Sequence, residues 1–131
     1  MSNPHREYHD NGLICIESYF GFSDHFHRLD GPAITEWDEN GQKICEKYII
    51  DDLYHREDGP AILRWHPDGS IRYHGYFFED ELHREDGPAR ITWDAKGNIE
   101  SELFYRNGSI VTAYDVFGDT PEAFAWVMTN G

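Results

Sequence analysis

The segment His-Arg-x-Asp-Gly-Pro-Ala occurs three times, beginning at His27, His55 and His83, a constant step of 28 residues. Other landmarks keep that step: Trp37, Trp65 and Trp93; Gly41, Gly69 and Gly97; Tyr48, Tyr76 and Phe104. A fixed period of this kind means one supersecondary unit stacked on copies of itself, each burying its neighbour's face. The architecture is constrained far more tightly than the ligand.

Within the central unit, Pro60-Ala61-Ile62-Leu63-Arg64-Trp65 predicts a strand, with Pro at its first position, where a missing N–H is tolerated. His66-Pro67-Asp68-Gly69 predicts a turn, since Pro presets φ and Gly supplies a conformation other residues avoid. Ser70 to Phe78 predicts a second strand packed through Ile71, Tyr73 and Tyr76. Glu79-Asp80 then reverses the chain, and Leu82 carries a short third strand into His83. In the last copy Asn107-Gly108 stands where earlier copies carry Asp51-Asp52 and Glu79-Asp80. Asn-Gly is the strongest short hairpin signal, so all three pairs are predicted to be hairpin turns.

Degraded copies extend the array at both ends. Tyr8, Gly12 and Tyr19 keep the spacing of Trp37, Gly41 and Tyr48, with one extra residue before His27. Thr120-Pro121-Glu122 has the signature of a helix start, and Phe124, Val127 and Met128 follow at helical spacing. The expected fold is therefore all-β: an elongated, twisted antiparallel meander of repeated hairpins with a short C-terminal capping helix. It forms a single repeat domain over residues 1–131, with a partial unit at 1–26, full units at about 27–54, 55–82 and 83–110, and a cap at 111–131.

A Tyr or Phe, a turn, and then Leu-His-Arg-Glu-Asp-Gly-Pro-Ala resembles the variant branch of MORN repeats, over roughly residues 8–111. The resemblance implies an elongated single-layer antiparallel sheet and a binding or scaffold role. Copies with this signature are common in large bacteriophages and giant viruses. The chain departs from the ordinary pattern in its longer period and its inserted His-Arg-x-Asp-Gly-Pro loop.

Trp, Tyr and Phe make up 15% of the chain, while mean hydropathy is -0.71. The core is therefore expected to come mostly from aromatics, in two ladders: Tyr8, Trp37, Trp65 and Trp93 on one face, and Tyr19, Tyr48, Tyr76 and Phe104 in a second line. No apolar run approaches the ~18 residues of a membrane span, and there is no basic-then-apolar leader. Cys15 and Cys45 occupy unmatched registers and read as reduced thiols of a cytoplasmic protein.

Twenty-five acids face eleven bases, for a formal charge of -14. Such a surface repels nucleic acid and anionic membranes and attracts basic partners, so neither direct nucleic-acid nor membrane binding is expected. Protonating all eight histidines would bring -14 to -6, making association pH-dependent as well as salt-dependent.

The motif supplies His27, His55 and His83, Arg28, Arg56 and Arg84, and Asp30, Asp58 and Asp86. A signature required in every unit is first expected to build the unit: Asp and Gly turn the chain, Pro starts a strand, Arg pairs with a nearby acid, and His packs its ring while donating one hydrogen bond. Equivalent residues two strands apart sit roughly 10 Å from each other, too far for one metal to bridge. No metal, cofactor or catalytic constellation is expected, since no G-x-S-x-G, H-E-x-x-H or phosphate-cradling loop is present.

The function expected is a non-enzymatic acidic binding protein that docks a basic partner. The setting is a phage-encoded inhibitor of a host defence factor in the host cytoplasm, with carboxylates imitating a nucleic-acid backbone. The contact residues expected are Asp51, Asp52, Glu79, Asp80 and Glu81, with Arg56 and Arg84 holding the loops. Two alternatives come from other classes. One is a self-assembling structural or virion-associated protein using its sheet edges and a C-terminal helix bearing Phe124 and Trp126; the other is a small-molecule or metal sponge using the His-Arg loops.

Overall fold

The computed structural model describes residues 4–118. The helix expected from Thr120 onward, with Phe124 and Trp126, lies outside the described residues. Thirteen strands appear in chain order: β1 (His5–Tyr8), β2 (Ile14–Ser18), β3 (Ile34–Trp37), β4 (Lys43–Lys47), β5 (Ile49–Ile50), β6 (Leu53–Tyr54), β7 (Ile62–Trp65), β8 (Ile71–Gly75), β9 (Phe77–Phe78), β10 (Glu81–Leu82), β11 (Arg90–Trp93), β12 (Ile99–Arg106) and β13 (Ser109–Val111). A short helix, α1 (Ala113–Phe117), follows. Nine strands form one antiparallel sheet in the order β1-β2-β3-β4-β7-β8-β11-β12-β13, while β5-β6 and β9-β10 are two-stranded hairpins.

Turn chemistry sets this topology. Between the long strands of each unit, Gly12, Gly41, Gly69 and Gly97 all hold φ between +84° and +90°, a region where Gly alone carries no Cβ penalty. The next pair of each ladder slips by one residue at Tyr8, Trp37, Trp65 and Trp93, so a bulge recurs at every copy. The second turn of each unit is the expected two-residue reversal. Asp51 and Asp52, Glu79 and Asp80, and Asn107 and Gly108 all have positive φ, as a type I′ hairpin requires.

The expected strand from Ser70 to Phe78 breaks at Tyr76, and β4 and β5 break alike at Tyr48. Hydrogen-bond direction explains the break. Tyr48 N–H donates to Ala61 of the next unit, extending the main ladder, while Tyr48 C=O accepts from His55 N–H and opens the small hairpin. Tyr19 and Tyr76 do the same with Ala33 and His27, and with Ala89 and His83. These tyrosines are pivots, each bonded forward to one ladder and back to another.

Packing corrects two expectations. The buried apolar residues are Ala33, Ala61 and Ala89 with Cys45, Ile49, Ile62, Phe104 and Ala113, so Phe104 is the one buried aromatic among the described residues. Adjacent strands draw close at each alanine, whose N–H and C=O both bond to neighbours, and the rings are left half-buried around them. Ile71, expected in the core, is 40% exposed because it stands opposite Trp65 at the bulge. The thiols are free, and burial pushes the Cys45 thiol up to about 11.

Candidate functional site

The three motif loops share one geometry, and every motif position except x has a structural task. Each Arg guanidinium lies over its pivot ring: Arg28 on Tyr19 at 3.9 Å, Arg56 on Tyr48 at 3.9 Å and Arg84 on Tyr76 at 4.0 Å. Its Nε donates to the Asp two residues on, at 2.9, 3.2 and 3.0 Å, and its Nη1 donates to the Pro carbonyl at 3.3, 3.1 and 3.1 Å. A stacked, forked cation of this kind is a use Lys cannot reproduce. The Gly is dictated by the same clamp, for a Cβ on Gly31, Gly59 or Gly87 would come within 3.0, 3.0 or 2.9 Å of the guanidinium carbon. The Arg28 guanidinium also holds the Asp30 carboxyl below its ordinary range.

Each motif His ties its unit to the next, with a polarity opposite to the one expected. The Nδ1 atoms of His27, His55 and His83 accept from the backbone N–H of Asp51, Glu79 and Asn107, at 3.1, 3.0 and 2.9 Å. The rings therefore carry their proton on Nε2, and His83 Nε2 faces Glu85 Oε1 at 2.9 Å. Arg28, Arg56 and Arg84 also donate their backbone N–H groups to Ile49, Phe77 and Tyr105 of the following unit.

The expected contact residues divide into two groups. Asp52 and Asp80 are turn locks: their Oδ1 atoms accept from Phe26 N–H at 2.7 Å and Tyr54 N–H at 3.0 Å, while their own N–H groups bond back to those residues. Asp51, Glu79 and Glu81 present exposed side chains, Asp51 at 75% of its full area. Arg56 and Arg84 belong to the clamp and hold the loops.

Between successive loops run grooves of repeated design that sequence reading did not supply. The groove below the second loop has Tyr48 and Ile50 beside Asp30, Glu57 and Asp58; the groove below the third has Tyr76 and Phe78 beside Glu57, Asp58, Glu85 and Asp86. The rims are strongly exposed, with Asp58 at 87% and Asp86 at 86%. The period alone foretold that the loops would stack; only coordinates show apolar groups between the acids.

Among the described residues no group of three or more His, Cys, Asp or Glu side chains is placed to hold a metal ion. The motif His Nδ1 and Arg Nε and Nη1 atoms are already engaged within the chain itself. Compared with known protein families, curated proteins and solved structures, the chain gives no significant match.

Proposed function

We propose that the protein is a non-enzymatic scaffold that docks a basic partner protein along its stacked loops and turns. The observation that carries this reading is the coincidence of exposed acids in the loops and second turns with Tyr48, Ile50, Tyr76 and Phe78 in the grooves between successive loops. The unit from His55 to Leu82 places Glu57, Asp58, Glu79, Asp80 and Glu81 in its loop and second turn. One unit advances two strands, roughly 10 Å; the equivalent positions hold Asp30, Asp51 and Asp52 in the unit before and Glu85 and Asp86 in the unit after, so the three units together carry one such carboxylate per ~3 Å of array. Duplex DNA carries one charge per ~1.7 Å of axis. A row of carboxylates at about half that density is the support for imitation of a nucleic acid, and the MORN-like signature supports a phage inhibitor of a host defence factor as its setting.

The test is affinity capture from host lysate at low and high salt, with a Glu57→Gln, Glu79→Gln, Glu85→Gln variant alongside. One stoichiometric basic partner is expected, lost at high salt and lost with the variant. Recovery of this protein alone, or of a partner indifferent to both changes, contradicts the reading.

A second reading, self-assembly through a sheet edge, draws support from β13, where Ile110 is 62% exposed on an outer strand. It predicts a concentration-dependent oligomer that Ile110→Lys disperses, measured by light scattering.

A further inference from the structure

The repeat contains its own control. Residues that recur every 28 positions build the unit, so positions that vary from unit to unit are free to serve another purpose where they meet in space. Such a place lies where β7, β8 and β11 pair. Arg64 stands where other units have Glu36 and Thr92; Arg72 replaces Ile44 and Glu100; Tyr73 replaces Cys45 and Ser101. Gly75 stands for Lys47 and Leu103, and Arg90 for Ile34 and Ile62.

The register brings Arg64, Tyr73, Gly75 and Arg90 onto one face. Tyr73 pairs with Arg64 on one side and with Thr92 on the other, and Gly75 pairs with Ile62 and Arg90. Tyr73 lies over Gly75 so closely that a Cβ there would meet its hydroxyl oxygen at 2.7 Å, so Gly75 makes room for the ring. Arg90 approaches the same ring, 5.7 Å from its centroid. Arg64, Arg72, Tyr73, Arg90, Thr92 and Trp93 line one shallow groove of about 600 Å³ together with Glu100 and His66.

The charges in this groove are out of character for the molecule. With 25 acids to 11 bases, partners for arginine abound. Arg6 pairs with Glu17, and each motif Arg pairs with its Asp. Yet among the described residues the side chains of Arg64, Arg72 and Arg90 make neither a hydrogen bond nor an ion pair, although Glu100 lines the same groove. Three guanidinium groups lining one groove repel one another, and Glu100 is the one carboxylate among its lining residues. Each also presents parallel N–H donors shaped for two oxygens of one phosphate or carboxylate.

We propose that this groove binds a small oxyanion of two or more charges, a phosphate-bearing molecule or a polycarboxylate, with Arg64 and Arg90 reaching it from either side of Tyr73. The volume suits a small molecule, and the charge of -14 on the whole chain repels a long polyanion, which separates this site from a nucleic-acid interface. The site is independent of the acidic loops and stands or falls without them.

Calorimetric titration of the full chain with pyrophosphate, and separately with citrate, tests it. Saturable one-to-one binding is expected, weakened about tenfold by Arg64→Ala and again by Arg90→Ala, the scale of one charge-assisted hydrogen bond. Arg6→Ala, which removes a guanidinium already held by Glu17, should leave it unchanged. Stronger binding of pyrophosphate than of citrate assigns the site to phosphate, and the reverse order assigns it to carboxylates. Thermal melts verify folding, with Arg64→Gln and Arg90→Gln used wherever an alanine variant melts early. No saturable binding of either anion at millimolar concentration, or binding indifferent to both arginines, overturns the proposal.

Discussion

The three motif loops and the C-terminal end of the array meet the same packing problem with different chemistry. Tyr19, Tyr48 and Tyr76 each lie under an arginine, whereas Phe104, at the equivalent position, takes the edge of Phe117 from α1 at 5.7 Å. The backbone differs in parallel: the chain breaks at the pivots Tyr48 and Tyr76, but β12 runs unbroken through Phe104. An arginine lid covers its ring and also holds the polar carbonyl and carboxylate of the loop leading into the next unit. No further motif loop follows Phe104, so an apolar ring suffices, and a capping box at Thr112 and Asp115 fixes the helix that carries it. The motif arginine is thus a lid and a connector at once.

That comparison can be broken at either end. The largest effect is expected from Arg56→Ala in mid-array, which strips the ring of Tyr48 and frees Asp58 and the Pro60 carbonyl. A loss of about 2–4 kcal/mol in urea unfolding is expected, with Arg56→Lys recovering less than half because an ammonium offers no fork. Gly59→Ala should cost about 1–3 kcal/mol by pressing a methyl onto the same guanidinium. Its backbone is not in the left-handed region, so the cost is steric, and combining it with Arg56→Ala should largely erase it; simple additivity would refute the clamp. Phe117→Ala, at the half-buried end, should cost about 1–2 kcal/mol and leave the motif loops intact by hydrogen exchange.

The smallest effect is expected at a turn. Asp80→Gly relieves a positive φ of 73° but removes the carboxylate that accepts from Tyr54 N–H. Relief and loss are each about 1 kcal/mol, so stability should change by less than about 1 kcal/mol. At Gly108 the chain already has the glycine and does without the side-chain bond.

Much of this frame was legible in advance, for identifiable reasons. Asn107-Gly108 betrayed the two-residue turns because the same period put acids at the other two positions, and turn type follows from that local chemistry. The pivots were hidden because a change in hydrogen-bond direction leaves no mark on a side-chain pattern. The core was misjudged because Ala33, Ala61 and Ala89 look unremarkable in sequence, yet are fully buried and bonded to neighbouring strands through both N–H and C=O. The histidine polarity depended on which backbone group arrived at Nδ1, and that group belongs to a residue 24 positions later. Arg64, Arg72 and Arg90 carry no signal in the period, because their positions are not constant from unit to unit and only the fold brings them to one groove.

The central claim is that the invariant motif positions build the array while the exposed acids at the variable motif position and in the second turns make the contacts. Gly59→Ala strains the clamp without changing charge; the Glu57→Gln, Glu79→Gln, Glu85→Gln variant changes charge without touching the clamp. Urea unfolding and partner capture measured side by side on the two test the claim most directly. The account predicts that Gly59→Ala loses stability but, while folded, keeps its partner, and that the glutamine variant keeps stability but loses its partner. The opposite pattern, with capture abolished by folded Gly59→Ala and retained by the glutamine variant, would contradict it.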